Sequence, residues 1–399
     1  MLEITKNYSF FYALNQYFVK KSNKQLVGII GIGTMGSMAA WQLASKGMSV
    51  IGFEQFGIGH DRSAAGGESR LFRTAYKEGA QYVPLLQEAK KLWRQLEEET
   101  ATTLLTLTGG LTIGNPNDDV ILNVQKSIKD YQLDCKLLDY EEAKKKYPQH
   151  RLLKDEMMIL DKEAGFIRPE LAVVAAASRA KQLGAEIRSY CTVERIEQWG
   201  TKIKVTANGE SYVVEKLLIT AGPWVTKLIP SFQPFISAKK IILTWFPAED
   251  IRQFQGDRFP VFTRTTEGTR FFGAPTVDHS MVKVGVSLPM SIVNDVDHLN
   301  RTVELQEIEK SRALISKYFN GLYPDPTRTS AYMDAYTADD HSIIGNVPDL
   351  ANAYVFGGFS GHGFKMAPAL GKLAASLLSE ETHNFTIDQL SPTRFTAMV

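Results

Sequence analysis

The 399-residue sequence has few of the features that mark secreted, membrane or nucleic-acid-binding proteins. Its only cysteines, Cys135 and Cys191, form no CxxC pair, so neither a disulfide framework nor a thiolate metal site is indicated, and a reducing, cytoplasmic setting is expected. Lys and Arg number 45 against 44 Asp and Glu, which leaves no electrostatic footprint for nucleic acid. No run approaches the ~20 consecutive apolar residues of a membrane span. The composition predicts a globular protein without a nucleic-acid partner or an integral membrane segment.

The seven histidines are scattered, and none has the i, i+4 partner that puts two ligands on one face of a helix. We therefore expect no metal site. Residues 1–23 are rich in aromatics but lack the order of charge, apolar run and cleavage site that a signal peptide has. We interpret them as an N-terminal extension, with a peripheral membrane or partner contact as the alternative.

Strand and helix patterns alternate along the chain without internal repeats, which predicts an α/β protein with room for two domains. The apolar periodicity and the flanking Pro and Gly residues predict helices over 34–46, 82–99, 169–184 and 367–379. Short apolar or alternating runs predict strands over 26–31, 48–54, 186–190, 193–199, 202–207 and 212–220. Asn208 and Gly209, between the last two strands, predict a hairpin turn.

A glycine-rich turn joins the first predicted strand to the first predicted helix. It reads GIGTMG at 31–36 and matches GxGxxG, in which Gly31 makes the tight turn, Gly33 lets the backbone approach a pyrophosphate and Gly36 lets helix and strand pack closely. Glu54 ends the second strand, where a carboxylate can accept hydrogen bonds from both ribose hydroxyls and disfavours the 2′-phosphate of NADP. The unit predicts a dinucleotide site without deciding between FAD and NAD.

The segment that follows decides between these cofactors. Residues 62–76 read RSAAGGESRLFRTAY and resemble the monomeric sarcosine oxidase and N-methyltryptophan oxidase family, in which the segment reads GSHHG[DE][ST]RxxRxAY. These are FAD-dependent amine oxidoreductases of the D-amino-acid oxidase superfamily. The resemblance continues in KEGAQYVPLLQEAKKLWRQLE (77–97), TGGLTIG (108–114), LLITAGPWV (217–225), Tyr336-Thr337 with the downstream DHSII (340–344), and GFSGHGFK (358–365). It therefore spans nearly the whole chain.

The resemblance implies a two-domain α/β (α+β) architecture, with a Rossmann-type FAD-binding domain and a substrate domain built on a mainly antiparallel sheet. Each domain is expected to be assembled from separate stretches of chain. The FAD-binding domain is expected over 24–105, 161–235 and 331–399, and the substrate domain over 106–160 and 236–330. A monomer or small homo-oligomer is expected.

The resemblance also implies which residues contact FAD. They come from the glycine-rich turn, the loop before the alternating arginines, the strand end at LLITAGPWV and the GFSGHGFK loop. The expected cofactor-binding residues are Gly31, Gly33, Thr34, Met35, Gly36, Glu54, Ser63, Gly67, Ser69, Arg70, Val193, Ala221, Gly222, Trp224, Gly358, Gly361, His362, Gly363, Phe364 and Lys365.

The expected reaction is the oxidation of a small carboxylate-bearing amine, with O₂ reduced to H₂O₂. By resemblance, Arg73 and Lys365 hold the substrate carboxylate, which suits the planar fork of Arg and the point charge of Lys. Tyr76 and Tyr336 match pocket tyrosines of the family. Lys283 matches a lysine near the flavin that promotes the reaction with O₂. Arg73, Lys365, Tyr336 and Lys283 are therefore the expected catalytic residues.

The chain departs from the family pattern at several positions. Ala65 and Gly66 stand in place of the paired histidines, and Ser287 stands in place of a further pocket histidine. Two alternatives to an oxidase therefore stay open. One is a flavin amino-acid dehydrogenase that uses an acceptor other than O₂, and the other is a catalytically idle flavin-binding or sensor protein.

A further departure predicts how FAD is attached. The family links FAD covalently through the cysteine of Cys-x-Tyr-Thr, and this chain has Asp334 at that position, which cannot form a thioether. We predict that FAD is bound non-covalently. After acid precipitation of the protein, the flavin should stay in the supernatant; flavin that pellets with the protein would contradict the prediction.

Overall fold

The computed structural model describes residues 25–287 and 290–395. The expected N-terminal extension, residues 1–23, lies outside the described residues. Within the described ranges, the longest apolar helices are too short or too polar to cross a membrane.

Twenty strands and eight α-helices occur in the described part of the chain. The strands are β1 Leu26–Ile30, β2 Ser49–Phe53, β3 Arg70–Phe72, β4 Leu105–Leu107, β5 Gly110–Gly114, β6 Cys135–Leu138, β7 Met157–Asp161, β8 Gly165–Ile167, β9 Glu186–Arg188, β10 Val193–Trp199, β11 Lys202–Ala207, β12 Glu210–Val214, β13 Lys216–Ile219, β14 Ile236–Phe246, β15 Val261–Thr266, β16 Thr269–Ala274, β17 Val282–Ser287, β18 Arg328–Thr337, β19 Ile343–Asn346 and β20 Ala353–Gly357. The helices are α1 Thr34–Ser45, α2 Val83–Thr100, α3 Asp119–Tyr131, α4 Tyr140–Lys146, α5 Pro169–Gln182, α6 Val225–Leu228, α7 Leu305–Tyr318 and α8 Ala367–Leu378.

Six strands form a sheet in the order β19-β20-β13-β1-β2-β9, in which every neighbouring pair is parallel except β19 and β20. The central strand β1 is apolar throughout because both faces of the sheet are covered. Helices α1, α2, α5 and α8 pack on one face, and the small sheet β10-β11-β12 packs on the other. This is the Rossmann-type half of the molecule.

Eight strands form a second sheet in the order β18-β14-β17-β16-β15-β5-β7-β6, which is antiparallel except for the pair β5 and β15. One face packs against α7 around an aromatic core that includes Phe246, Phe262 and Phe271. The opposite face carries Leu243 and Tyr332, which face the Rossmann-type half across a cavity. The two halves confirm the predicted fold class.

Most predicted elements are confirmed to within two residues, and Asn208 and Gly209 form the hairpin turn with φ of 48° and 76°. The run 212–220, predicted as one strand, is divided between β12 and β13, which belong to different sheets. The second stretch of the predicted substrate domain, 236–330, begins where strand β14 begins, at Ile236. Its predicted end at residue 330 falls inside strand β18. The domain limits stay predictions.

Candidate functional site

A cavity of about 1010 Å³ lies between the two halves of the molecule. Its Rossmann-side wall is formed by the carboxyl ends of β1 and β2 and by the turns that follow them. This is the edge at which open parallel sheets bind ligands. Its other wall is the inner face of the eight-stranded sheet, from which β14, β16 and β18 contribute side chains.

The glycine-rich turn lies at this cavity with the geometry that its spacing predicts. Gly31, Gly33, Thr34 and Met35 line the cavity, and α1 begins at Thr34, so the N-terminus of the helix faces the ligand space. A Cβ on Gly36 would lie 1.9 Å from the carbonyl oxygen of Gly31, so only glycine permits this close approach of helix and turn. A Cβ on Gly33 would meet no protein atom within 4 Å.

Glu54 lies directly after β2 and is buried on the cavity wall. Its Oε2 accepts a hydrogen bond from the backbone N–H of Ile32 (2.9 Å), and its Oε1 accepts one from that of Phe56 (3.0 Å). His60 lies 3.3 Å from Oε1. These contacts fix the carboxylate at the strand end, where its remaining lone pairs can accept from ribose hydroxyls.

Five buried polar atoms of cavity-lining residues have no hydrogen-bond partner within residues 25–287 and 290–395: Thr34 Oγ1, Ser69 Oγ, Arg73 Nε, Glu78 Oε2 and Arg264 Nη1. Unpaired buried polar groups cost free energy, and native proteins pair nearly all of them. Phosphate, hydroxyl or carboxylate oxygens of a ligand would pair the donors among them, such as the hydroxyls of Thr34 and Ser69 and the guanidinium of Arg73. Together with the open space at Gly33 and the fixed carboxylate of Glu54, these donors fit a bound FAD.

The loop before the alternating arginines is closed by Arg70. Its guanidinium donates to the carbonyl oxygens of Ala64 (2.7 and 3.1 Å), Ser69 (2.9 Å) and Gly66. The backbone N–H groups of Gly67 and Glu68 donate to a carboxylate oxygen at the start of α5, on Glu170. Arg70 therefore uses its donors to hold the backbone of this loop, which forms part of the cavity wall.

Tyr332 occupies the space beside the position of the missing paired histidines. A Cβ on Gly66 would lie 2.4 Å from Cε1 of Tyr332, so a larger residue at 66 would clash with that ring. Tyr332 is buried against Leu243 and Trp245 and lines the cavity. The space that a side chain at position 66 would need is thus filled by the ring of Tyr332 from β18.

Asp334 also lines the cavity, on the same strand as Tyr332 and Tyr336. Its Oδ1 accepts from the backbone N–H of Ala335 at 2.8 Å. Burial raises its pKa to about 6, although backbone N–H groups and the nearby Arg70 act in the opposite direction. The position that carries the linking cysteine in the family therefore holds a half-buried, titratable carboxyl group at the cavity.

Arg73 lies on the cavity wall with only 5% of its surface exposed. Its Nη1 donates to Thr263 Oγ1 from β15 (3.1 Å), and its Nη2 lies 3.8 Å from Oε1 of Glu78. Burial acts to raise the pKa of Glu78, but the cations Lys77, Arg73 and Lys365 outweigh it and lower that pKa to about 2. Glu78 is therefore an ionised partner for the cations around it.

Lys365 lines the cavity and is 6% exposed. Its Nζ donates to the carbonyl oxygen of His362 (2.8 Å) and to the hydroxyl of Tyr76 (3.3 Å). Burial lowers its pKa to about 7, while Glu78 acts to raise it. Trp93 fixes the backbone at this point by donating to the carbonyl oxygen of Lys365 (3.0 Å).

Lys283 lies behind the loop that Arg70 closes. Its Nζ donates to the carbonyl oxygens of Gly67 (3.2 Å) and Ser69, and 2% of the residue is exposed. Burial lowers its pKa well below the ordinary value, and the nearby Arg70 lowers it further. Lys283 does not itself line the cavity.

Most of the residues predicted to form the site meet around this one cavity. Those that line it are Gly31, Gly33, Thr34, Met35, Glu54, Ser63, Ser69, Arg70, Arg73, Val193, Ala221, Gly222, Trp224, Tyr336, Gly361, His362, Gly363, Phe364 and Lys365. Those that lie near it without lining it are Gly36, Gly67, Tyr76, Lys283 and Gly358. Their roles stay predictions.

Sequence reasoning did not single out Glu78, Thr263 or Tyr332 as site residues. Glu78 had a signal, because it lies in the EG of the segment that resembles the family. Thr263 and Tyr332 lie on strands whose alternation does not distinguish a cavity face from an ordinary buried face.

Comparison with known proteins agrees with this geometry. The model of the family described as FAD dependent oxidoreductase (DAO) matches residues 27–377. The monomeric sarcosine oxidase of Streptomyces avermitilis is 29% identical over 373 residues, which cover 92% of this chain and 97% of the relative. The N-methyl-L-tryptophan oxidase of Yersinia pestis is 28% identical over 368 residues, which cover 92% of this chain and 98% of the relative.

The fold is also similar to that of a solved enzyme structure. The L-proline dehydrogenase from P. horikoshii superposes with a TM-score of 0.81 at 22% identity, covering 94% of this chain and 98% of that chain. At this identity the likeness concerns the fold alone.

Because the space beside Gly33 is open, a substitution there should weaken FAD binding without affecting the folding of the protein. Gly33→Ala should leave the thermal unfolding of the FAD-free protein unchanged, because the added methyl group meets no protein atom. It should weaken FAD by roughly tenfold or more, about 1.4 kcal/mol, because the methyl group takes the place where the backbone meets a pyrophosphate. Titration of FAD fluorescence measures the affinity. Gly36→Ala is the contrasting variant, because its clash with Gly31 should destabilise the FAD-free protein itself; unaltered FAD affinity in Gly33→Ala would refute the assignment.

Proposed function

The chain belongs to the FAD dependent oxidoreductase (DAO) family, and we propose that it oxidises a small amine that carries a carboxylate, with sarcosine-like N-methyl amino acids as the first candidates. The product is an imine, which water hydrolyses to an aldehyde or keto acid and an amine, and O₂ is reduced to H₂O₂. The similarity to a sarcosine oxidase and an N-methyl-L-tryptophan oxidase supports this class of substrate.

The observation that supports the proposal is a pair of buried cations whose N–H donors are not all bound by protein atoms. Arg73 Nε has no partner within the described residues, and the Lys365 ammonium has three donors, of which protein atoms take two. Both side chains line the cavity. A ligand carboxylate would accept charge-assisted hydrogen bonds from both, and such bonds are stronger than those between neutral groups.

Arg73 and Lys365 together form the proposed carboxylate grip. The residues around this grip suit a small amino acid. Tyr336 lies on the inner face of the sheet beside Asp334, and Phe272 and Ile241 add apolar surface to the same wall. Apolar walls with a few polar anchors are typical of pockets for small molecules, since the anchors fix orientation while the walls exclude water. FAD, when bound, accepts the electrons and hydrogen that leave the carbon beside the amine nitrogen.

The anchor also makes the orientation of the substrate specific. A carboxylate held by Arg73 and Lys365 fixes one end of an amino acid, so its α- or N-methyl carbon lies at a set distance from the grip. Thr263 accepts a hydrogen bond from Nη1 of Arg73 and Glu78 lies near Nη2, so contacts to two different nitrogens orient the guanidinium before the ligand arrives.

A dehydrogenase with another electron acceptor is the second candidate, and one observation favours it. Lys283, the lysine expected to promote the reaction with O₂, is separated from the cavity by the Gly67 and Ser69 carbonyls that it binds. Burial also lowers its pKa, which weakens the fixed positive charge that would stabilise a developing superoxide-like anion.

Anaerobic titration of the FAD-loaded protein tests the proposal. Sarcosine, other N-methyl amino acids and primary amino acids are added in turn, and loss of the oxidised flavin absorbance reports the first half-reaction. We expect bleaching by at least one of them, followed by H₂O₂ formation when air is admitted. Bleaching without H₂O₂, together with rapid reoxidation by a dye, would favour the dehydrogenase. No bleaching by any amino acid would overturn the proposal.

Removal of Arg73 should discriminate between substrates with and without a carboxylate. Arg73→Ala should raise KM for the carboxylate-bearing amine roughly 10- to 150-fold, the equivalent of ~1.5–3 kcal/mol for a charge-assisted hydrogen bond, and should change KM for the decarboxylated analogue far less. Steady-state kinetics with both compounds measures the difference. Lys77→Ala is the matched control, because it removes a partly exposed cation from the same wall. Equal effects of Arg73→Ala on both compounds would contradict the grip.

A further inference from the structure

A chain of hydrogen bonds connects Lys365, Tyr76 and His362 beside the cavity. Lys365 Nζ lies 3.3 Å from the hydroxyl oxygen of Tyr76, which lies 3.0 Å from Nδ1 of His362. The other ring nitrogen of His362, Nε2, lies 2.9 Å from the carbonyl oxygen of Asp340. Tyr76 is fully buried and does not line the cavity. Its hydroxyl is therefore connected to the ligand space through its two partners, Lys365 and His362, which both line the cavity.

The direction of every proton in this chain follows from its two ends. A carbonyl oxygen can only accept, so Nε2 of His362 carries a proton and donates to Asp340. Burial lowers the pKa of His362 to about 4, so the ring is neutral at ordinary pH and Nδ1 is an acceptor. The Tyr76 hydroxyl accordingly donates to Nδ1. Its oxygen lone pairs are left for the ammonium of Lys365.

We propose that Tyr76 is a positioning residue that keeps Lys365 protonated and aimed at the substrate carboxylate, with its own hydroxyl oriented by His362. This inference rests on the proposed carboxylate grip. Tyr76 cannot turn its hydroxyl proton toward Lys365 without giving up the bond to His362. The arrangement thus presents an acceptor to a buried ammonium, and bonds in such a chain polarise one another.

The other groups around Lys365 do not provide an equivalent acceptor. Arg73 and Lys77 are like charges that disfavour the ammonium, and Glu78 is the carboxylate that favours it. Helix α2 contributes Trp93, which is uncharged and bonds to the backbone carbonyl of Lys365. Besides Tyr76, the only atom that accepts directly from Nζ in the described ranges is the carbonyl oxygen of His362.

Binding of the ligand carboxylate should therefore depend on pH, and the Tyr76 hydroxyl should influence the pH at which binding weakens. Burial lowers the pKa of Lys365 to about 7 even with Tyr76 present. Below that pH the ammonium holds the ligand carboxylate, and the grip weakens as the pH rises and the proton is lost. Without the hydroxyl acceptor the ammonium is less stable, so the same loss should begin at a lower pH.

Acetate titrated into the FAD-loaded protein and followed by the flavin absorbance measures the grip without turnover. In the wild-type protein, acetate affinity should fall as the pH rises through about 7. In Tyr76→Phe the fall should be displaced to lower pH by about one unit or more, which for one unit means roughly fivefold weaker binding at pH 7. Acetamide has no charge and should show neither effect. Tyr82→Phe is the matched control: Tyr82 packs edge-on against Tyr76, but its hydroxyl bonds to His341.

Two further variants separate a positioning role from a structural one. In a Lys365→Met background, Tyr76→Phe should no longer change acetate affinity, because the effect passes through the lysine charge. If Tyr76→Phe does not fold, His362→Leu carries the test, since it removes the acceptor that orients the Tyr76 hydroxyl and should displace the pH dependence in the same direction.

The possible failures are distinguishable. A wild-type protein that binds acetate no better than acetamide at pH 6 would overturn the carboxylate grip, and the proposed function with it. A wild-type protein that binds acetate with the expected pH dependence, together with a Tyr76→Phe protein whose pH dependence is the same, would overturn only the role of Tyr76. An equal effect of Tyr76→Phe with and without Lys365 would also overturn that role.

Discussion

Burying Arg73, Lys283 and Lys365 around one cavity is costly unless each charge finds oxygen atoms that compensate for the lost water. Carboxylates supply part of this compensation, from Glu78 near Arg73 and Lys365 and from Glu68 and Glu170 near Lys283. Backbone carbonyl oxygens supply most of the rest, from Gly67 and Ser69 for Lys283 and from His362 for Lys365. The wall is therefore held in shape by its cations. In the proposed function, the donors of Arg73 and Lys365 that protein atoms leave free are the ones that bind the substrate carboxylate.

The loop between β2 and β3 shows how this constraint shapes the local structure. Arg70 draws the carbonyl oxygens of Ala64, Gly66 and Ser69 toward one guanidinium, so the loop must be built from small residues that allow the backbone to curl around it. Tyr332 then fills the space that a larger side chain at 66 would occupy in the related pattern. Substitutions in separate parts of the sequence are thus coupled by packing at one wall. Asp334, two residues farther along β18, places a titratable carboxyl group beside them.

Several parts of the site could be predicted from the sequence because their signals are local. The strand, the glycine spacing and the terminal acid Glu54 occur within one short stretch, and each has a single physical purpose at a dinucleotide. The division of 212–220 into β12 and β13 could not be predicted this way. Both pieces are apolar and strand-forming, and the difference is which sheet each one joins, a matter of pairing with distant residues such as Val27 and Ile203.

The sequence by itself predicted a dinucleotide-binding Rossmann-type unit from residue types at fixed spacings, and its resemblance to a known family added FAD and the cations expected at the substrate. Tertiary structure alone decided which of those side chains reach the ligand space. Tyr76 and Lys283 stand in matching motifs, yet one lies behind Lys365 and the other behind the Gly67–Ser69 backbone. The physical reason is that a motif specifies a side chain's chemistry, whereas its depth and partners depend on elements that pack against it from far along the chain.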